Sequence, residues 1–581
     1  MPSGFVRRQL YMLRNSARSC KFWQPLIAFL VAVPSLIYLF CVFAYPQILR
    51  LRFRTDLSRY DLGWYGFGPS QSYVSFPYQS PRVEILQWSP ECDSRFVFLA
   101  PRGDSISSPG PVILDARGEL VWMKHNWEIT QDFKVQPYRG DDYLTYWEGD
   151  MDEGRGSGSW HMITPIGKFA GDLHDFHLTD DNTALVTIYD VAAADLSPVG
   201  GPALGWIYDG VFQEIDIATG ELIFEWRASH HYPVNTTFKV PIGTGQYRDS
   251  AFDYFHINSV DKDHQGNYIV SARHTHTVSC VDSSTGAVLW TLGGKLNDFT
   301  DLSDGEATSF SWQHDARWHG NNTLTLFDNA AGSNQNPSAV SRGMIVDMDV
   351  PARRATLRGS YYHPQDMEAV SQGNLQLLPN GNVFVGWGHS AAFSEFRPDG
   401  TLLCNVHFGA SAFFTFGRVV SYRATKGSWV GKPDTVPDAE IDGDHVYVSW
   451  NGATEVAAWR VEVWSGEDLT EMAFEPRERF EKQGFETQIP IPDGIGSTYF
   501  RLAALDSQGE ELGVTEPVQR EPTPSPASDG YHPALTAFGL IFSGCLLAGM
   551  YCGIRRMLPR KKSASEYRLV RMRDDDESSP A

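Results

Sequence analysis

Between Asp93 and Tyr422 the chain alternates apolar and polar residues in short runs broken by Gly, Asn or Asp, and hardly a stretch keeps its apolar residues at helical spacing. That pattern predicts strands with a buried face, joined by tight turns. Two phrases recur in it. The first is aspartate, a turn with glycine, then an apolar run closing on tryptophan, as in LDARGELVW from Leu114, IDIATGELIFEW from Ile215, VDSSTGAVLW from Val281 and, more loosely, FRPDGTLLCNV from Phe396. The second is Gly or Asn leading into a strand, at Asn182-Thr-Ala-Leu-Val, Gly266-Asn-Tyr-Ile-Val, Asn321-Asn-Thr-Leu-Thr-Leu and Gly381-Asn-Val-Phe-Val. The turn glycines suit hairpin tips, which need positive φ. The phrases alternate and mark about six units, roughly 94–127, 129–171, 174–227, 255–294, 312–361 and 367–409. Several strands per unit at this spacing predict a six-bladed β-propeller over residues 93–422. Tandem two-layer sandwiches are the rival, but they leave the repeated phrasing without a cause.

After Gly427 the texture changes. VYVSWNGATEVAAWRVEVW and TYFRLAALDSQGEELG read as alternating-strand hairpins, which predicts a small fibronectin- or immunoglobulin-like β-sandwich over residues 433–518. A Pro/Ser/Glu-rich linker, 519–532, follows. Two uncharged runs flank the β-rich part. Residues 22–49 follow a basic segment with no acidic residue, 1–21, and residues 533–554 precede Arg555, Arg556, Arg560, Lys561 and Lys562. Each run is long enough to cross a bilayer. Arg50, Arg52 and Arg54 blur the orientation of the first, so it rests on the second, whose basic flank places the tail 555–581 in the cytosol. With two transmembrane helices the amino terminus is then cytosolic too, and everything between lies outside, in the plasma membrane or the secretory pathway. A cleaved signal peptide is the competing reading of 22–49, but the run exceeds a usual signal core and no small-residue cleavage site is evident. The sequons at Asn235 and Asn321 agree with exposure to glycosylation. The tail also carries Tyr567-Arg-Leu-Val, with the form of a sorting signal and equally of a solvated peptide. The expected fold class is all-β: a propeller, then a sandwich, flanked by two membrane helices.

Composition narrows the partners. At 581 residues two or more domains are expected. A net charge of -22 argues against a nucleic-acid partner, whose phosphates need a basic surface. Cys20, Cys41, Cys545 and Cys552 lie in or beside the uncharged runs, which leaves Cys92, Cys280 and Cys404. Three cysteines form at most one disulfide, so the fold does not rest on a disulfide framework.

Three segments share one layout: LHDFHLTDDNTALVTIYD from Leu173, FHINSVDKDHQGNYIVSARH from Phe255 and FSWQHDARWHGNNTLTLFD from Phe310. Laid over one another, they put His174, His256 and His314 at about the same point of the repeat. The innermost strand of every propeller blade lines the central channel, so these three imidazoles are expected to meet on the axis. Arg273 sits in the β-branched run YIVSARH, where a charge needs a reason, and Arg317 lies just after His314. Each also has a structural reading: a histidine near a turn is ordinarily a hydrogen-bonded scaffold residue, and Arg273 reads equally as a bridge to a carboxylate such as Asp253. His177 shares the motif of His174 and is its alternative, while His230 and His231 fall outside the repeat phase. Three histidines with an open position can hold zinc for hydrolysis, although no HExxH spacing or placed carboxylate base appears. The other chemistry is transfer of an anionic group: a neutral histidine attacks, a second supplies a proton to the leaving oxygen, and arginine holds the transferred oxygens, with no metal or other cofactor.

FSWQHDARW, DYFHINSV with the following SARH, and LHDFHLTDDNTAL resemble the arylsulfotransferase family of the 3′-phosphoadenylylsulfate-independent kind, more closely its fungal, membrane-anchored branch, over roughly residues 93–422. The resemblance implies a six-bladed propeller and ping-pong transfer of a sulfuryl group from a phenolic sulfate donor to a phenol acceptor through a sulfohistidine. By motif, His314 is then the nucleophile, His256 and Arg273 bind the sulfuryl oxygens and assist the leaving group, and His174 completes the channel. The bacterial members are soluble periplasmic proteins with an amino-terminal β domain, so neither their tetramer nor their substrate range carries over. The alternative function is a receptor or scaffold without catalysis, binding an extracellular glycan or protein through propeller and sandwich.

Overall fold

The computed structural model of the protein describes residues 32–40 and 57–519, apart from the short segments 126–128, 153, 164–166, 331–339, 465–473 and 492–498. Among the described residues, six antiparallel sheets follow one another along the chain, and each runs from an inner to an outer strand. Blade 2 spans residues 129–171, blade 3 176–227, blade 4 257–292 and blade 5 314–362. Blade 6 spans 374–407 and takes Glu84–Gln87 as an extra strand outside Leu402–His407. Blade 1 joins Phe96–Leu99, Val112–Leu114 and Leu120–Met123 to Ala424–Gly427, which comes from the other end of the propeller and forms its innermost strand. Each blade touches the next around the innermost strands, blade 3 through Thr183–Ala194, and Ala424–Gly427 touches both Asn374–Leu377 and Ile129–Tyr138, so the ring is closed. Closure in one shared sheet ties the two ends of the propeller together.

The expected bounds of 93–422 therefore move outward at both ends. Ala-Thr-Lys-Gly at 424–427 carries no apolar alternation, and its strand is specified by the partner Phe96–Leu99 waiting for it. Cys92 and Cys404 form a disulfide that pins the segment after Glu84–Gln87 to blade 6, and Cys280 is free and buried.

The recurrent phrases have mechanical causes. In LDARGELVW the carboxylate of Asp115 accepts from the N–H groups of Arg117 at 2.8 Å and Glu119 at 2.9 Å, closing a turn in which Gly118 has φ 77°. Asp282 does the same for Ser284 and Thr285 ahead of Gly286. Side-chain carboxylates here replace backbone acceptors at the turn. The tryptophan that ends each phrase lies on an outer strand and packs across to the next blade. Trp122 stacks on Phe133 at 5.6 Å, Trp226 meets Phe255 at 5.9 Å, and Trp290 meets Trp318 at 5.8 Å between ring centroids. Trp226 also donates its indole N–H to the Gly286 carbonyl at 3.1 Å. Burying a side chain of this kind contributes roughly 1.5–3 kcal/mol, so the repeated phrase is the glue between blades.

The second domain is a sandwich. Asp438–Asp442, His445–Ser449 and Glu486–Pro490 form one sheet; Ala458–Trp464, Phe474–Glu481, Tyr499–Leu505 and Glu511–Val514 form the other, with Val518–Gln519 added. Val446, Val448, Trp459, Val461, Ile489, Phe500 and Leu502 fill the space between them. The sandwich docks on the outer strand of blade 1, where Asn451 exchanges two hydrogen bonds with the Met123 backbone and the Gly452 N–H donates to Val121. It thus sits at the periphery and leaves the channel free.

Of the expected membrane run 22–49, only residues 32–40 are described, and they are helical. No helix among the described residues is long and apolar enough to cross a membrane. The linker 520–532, the run 533–554 and the tail 555–581 lie outside the described residues.

Candidate functional site

At the start of the innermost strands, the same step of the repeat holds Gln131, His174, His256, His314, Gln372 and Tyr422. The backbone is distorted there. Register shifts interrupt the pairing between Gln131 and Lys134, Ile257 and Ser259, and His314 and Arg317. Asp132, His256, Asp315 and Gln372 adopt left-handed conformations with φ between 49° and 67°. Each costs a non-glycine residue about 1–2 kcal/mol. Bulges turn side chains away from a sheet's plane, and strain gathered at one ring of positions marks a place where orientation matters.

The side chains of His174, His256, His314 and Arg273 all line one cavity of about 180 Å³ at this end of the channel. The structure thus brings the three phased histidines together, and Arg273 lies beside them. His177 points to the other end of the channel, where its Nε2 lies 3.2 Å from Asp261, which decides between it and His174. Arg317 is not in the cavity either; it pairs with Asp175 and Asp315 beneath. His231 stacks on Trp226 and His230 lies beside it, away from the channel.

His314 is fixed in one tautomer. The amide group of Asn329 donates to the carbonyls of Ala369 at 2.8 Å and Gln372 at 3.0 Å, so its oxygen is the atom facing His314. His314 Nδ1–H donates to that oxygen at 2.6 Å, which leaves the lone pair on Nε2, approached by the Gln372 N–H at 3.3 Å. Burial, and next the Arg273 guanidinium, hold the imidazole well below its ordinary pKa, so it is neutral at pH 7. The ring is neutral, with its proton on Nδ1 and its lone pair on Nε2.

The other imidazoles have carboxylates behind them. His174 Nδ1 abuts Asp172, and His256 Nδ1 lies 2.5 Å from Asp253. Their ring centroids are 4.8 Å apart. Burial lowers the His256 pKa to about 4 against the opposing pull of Asp253. His274, a fourth imidazole in the cavity wall, donates Nδ1–H to the Asp253 carbonyl at 2.7 Å and takes an N–H from Arg273 on Nε2 at 3.1 Å. The expected alternative, a bridge from Arg273 to Asp253, is not formed: Asp253 serves His256. Arg273 lies over the Trp312 ring at 4.9 Å and donates to the Val370 carbonyl at 3.0 Å. No carboxylate lies within ion-pair distance of it among the described residues. Burial draws its pKa down to about 10, which leaves it cationic at pH 7. Arg102, on the opposite wall, is drawn to about 10 by burial in the same way.

Polar atoms without protein partners crowd this cavity. Arg102 Nε, Arg273 Nε, Gln131 Oε1, Gln372 Oε1, Asp253 Oδ1 and Tyr422 Oη are all buried and unbonded. Such groups are rare in folded proteins, and this cluster marks a site completed by a polar ligand, whose acceptors the two guanidinium groups and the Tyr422 hydroxyl would meet and whose donors the amide and carboxylate oxygens would meet.

One layer deeper the channel is sealed. Arg423 reaches Asp132 at 2.7 Å, Asp175 at 2.9 Å and Asp315 at 3.1 Å, while Lys134 and Arg317 share the same carboxylates. This ionic floor separates the site from the larger cavity at the other end.

The zinc reading fits poorly. The residues spaced for a metal are Asp253, His256 and His274, not the expected trio of His174, His256 and His314. Both nitrogens of His274 are engaged, one with a carbonyl and the other with a guanidinium, so no lone pair is left for an ion.

Sequence reasoning missed Asp172, His274, Asn329, Arg102 and Tyr422, and offered Asp253 as a partner of Arg273 rather than of His256. Asp172-Leu-His174 and Asp253-Tyr-Phe-His256 carried a signal, an acid two or three residues before two of the three phased histidines, with none before His314. Asn329 and Tyr422 lay in no shared phrase.

A family model described as Arylsulfotransferase (ASST) matches residues 134–409. No curated protein matches the chain. Among solved structures, a protein of unknown function from Bacteroides caccae is similar at 14% identity, covering 58% of this chain and 100% of that one with a TM-score of 0.33. A Lactobacillus plantarum protein is similar at 12% identity, covering 68% and 100% with a TM-score of 0.30. Quinohemoprotein alcohol dehydrogenase from Comamonas testosteroni is similar at 11% identity, covering 68% and 77% with a TM-score of 0.28.

Proposed function

We propose that the propeller, whose residues 134–409 match the arylsulfotransferase (ASST) family model, moves a sulfuryl group from a phenolic sulfate ester to a phenol through a sulfohistidine at His314. The observation that carries the proposal is the pairing of a neutral imidazole, held by Asn329 with its Nε2 lone pair engaged only by the long 3.3 Å contact from the Gln372 N–H, with the cation of Arg273, which has no carboxylate partner among the described residues, across one small cavity. In the first half-reaction Nε2 attacks sulfur, the N–S bond forms and the S–O bond to the aryl group breaks. The phenolate leaves with that electron pair and takes a proton from the His174/His256 pair, carried on His174 with Asp172 against its Nδ1, because burial keeps His256 neutral. Arg273 holds the equatorial oxygens through a loose transition state, in which positioning and charge supply most of the catalysis. In the second half an acceptor phenol returns the proton to the same pair, its oxygen attacks sulfur, and His314 is released neutral.

The cavity is smaller than the roughly 300–1,000 Å³ of ordinary ligand clefts, so it suits the charged end of a donor. The aryl part is then left to the open groove beyond Arg102, lined by Pro109 and Ile129. Replacing His314 by Asn keeps the hydrogen bond to Asn329 within reach and removes the nucleophile; transfer from 4-nitrophenyl sulfate should disappear while the circular dichroism spectrum stays the same. Unchanged turnover would refute the assignment. Turnover absent from the wild-type protein with every phenolic donor would favour the receptor reading.

The same proposal puts the propeller outside the cytosol, anchored by the two uncharged runs. The Cys92–Cys404 disulfide supports an oxidising compartment, and the sequon residues Asn235 and Asn321 are both exposed.

A further inference from the structure

Beside the cavity mouth, residues 59–67 and 413–418 spread an aromatic and basic surface toward solvent. Trp64 is 67% exposed, Tyr65 52% and Phe416 62%. Phe67 packs on Phe413 at 4.3 Å, and Phe413 lies 6.2 Å from Phe416. A guanidinium covers a ring in three places: Arg59 over Trp64 at 5.0 Å, Arg82 over Tyr65 at 5.0 Å and Arg418 over Phe67 at 5.8 Å, with Arg418 also paired to Asp104. The surface is firmly built. The Ala410 N–H donates to Phe67 and the Ala412 N–H to Asp61, whose carboxylate is buried against His407 at 2.6 Å.

Its position is tied to the site. Arg102 of the cavity wall exchanges backbone hydrogen bonds with Val420, two residues beyond Arg418. Ser371 of the opposite wall accepts from the His389 N–H, and a Cβ on Gly417 would come within 2.8 Å of the His389 ring. Large amphipathic rings interleaved with arginines are the chemistry of a bilayer's headgroup region, where the ring faces hydrocarbon and the guanidinium faces phosphate. The uncharged run ends at Leu49, and Arg50, Arg52 and Arg54 follow it. Ten residues from Leu49 to Arg59 reach at most about 35 Å, so this surface is the part of the described propeller tethered nearest to that run.

We propose that Trp64, Tyr65, Phe67 and Phe416, with Arg59, Arg82 and Arg418, rest in the headgroup region of a phospholipid bilayer and hold the mouth of the site beside the membrane surface. The proposal rests on the reading that residues 22–49 cross a membrane. It implies that phenols partitioning into the interface reach the cavity laterally.

The test uses the full chain in phospholipid vesicles, with photoreactive benzoylphenylalanine at position 416 and, as a control, at position 264, an exposed site at the other end of the channel. Sodium carbonate extraction comes first: release of the protein would refute the membrane reading and the proposal with it. With the protein retained, irradiation should add a phospholipid mass to the peptide holding position 416, at least tenfold more often than to that holding position 264. Adducts from 416 to a second chain or to residues 521–581, equal lipid labelling at both positions, or none at 416, would overturn the docking surface and leave membrane anchoring standing.

Discussion

Replacing Asn329 by aspartate changes charge and hydrogen-bond sense while keeping the shape of the side chain, and so tests whether His314 works as a neutral nucleophile. In the wild-type protein burial and Arg273 hold the imidazole well below its ordinary pKa, and the Asn329 oxygen meets Nδ1–H at 2.6 Å. A carboxylate in that place puts an opposite charge against the ring. Opposite charges within about 4–6 Å move a pKa by about 1–3 units, which is on the order of 1.5–4 kcal/mol in favour of imidazolium. The cation is the stabilised form, so the pKa rises and the neutral form is reached only at higher pH. The acid limb of kcat/KM, which reports the free enzyme, should move up by about 1–3 pH units, and below it the rate should fall about tenfold per unit. The variant also loses the amide donors to Ala369 and Gln372, which lowers the plateau; the position of the limb is independent of that loss. Release of 4-nitrophenol, sampled between about pH 5 and 9 and read after quenching in alkali, measures it, with circular dichroism at each pH to show that the protein stays folded. An acid limb at the wild-type position would refute the proposed protonation state.

Two further outcomes follow from the same site. Burial lowers the pKa of His256 to about 4 and His276 to about 3, and holds His274 and His314 well below their ordinary value. The unfolded chain, with histidines near 6.5, binds protons first as pH falls, so stability is full above about pH 6.5 and is lost toward pH 4, by about 2 kcal/mol per histidine between pH 7 and 5; the urea midpoint should drop accordingly, and a flat profile would contradict the neutral cluster. Arg423→Met leaves Asp132, Asp175 and Asp315 facing one another with only Lys134 and Arg317 to share, and removing one partner of a buried ionic group costs about 3–5 kcal/mol. Urea unfolding should show that loss, and a change under about 1 kcal/mol would mean that the floor is not held by the guanidinium.

How much was legible in the sequence depends on what each residue answers to. The phrase ending in Trp226 or Trp290 could be read because every blade faces the same packing problem, so the same solution is written repeatedly. His174, His256 and His314 could be read for the same reason: equal steps of a radial repeat converge. Ala424–Gly427 could not, because its strand is dictated by an edge more than 300 residues earlier in the chain. Asn329 could not either, since it reaches His314 from the neighbouring strand of blade 5 rather than from the phased position. Arg102 and Tyr422 sit where a phased histidine stands in other blades or on the facing loop, and only the closed ring brings them to the cavity.

The central claim is a sulfuryl group carried by His314. Incubating the full-length protein with a phenolic sulfate donor and no acceptor, then digesting and analysing it by mass spectrometry without acid, should find the sulfuryl mass on the peptide that holds His314, approaching one per chain and discharged on adding phenol. No label in the His314→Asn variant completes the expected result. Sulfuryl on another residue, or donor turnover with no labelled histidine at all, would contradict the account.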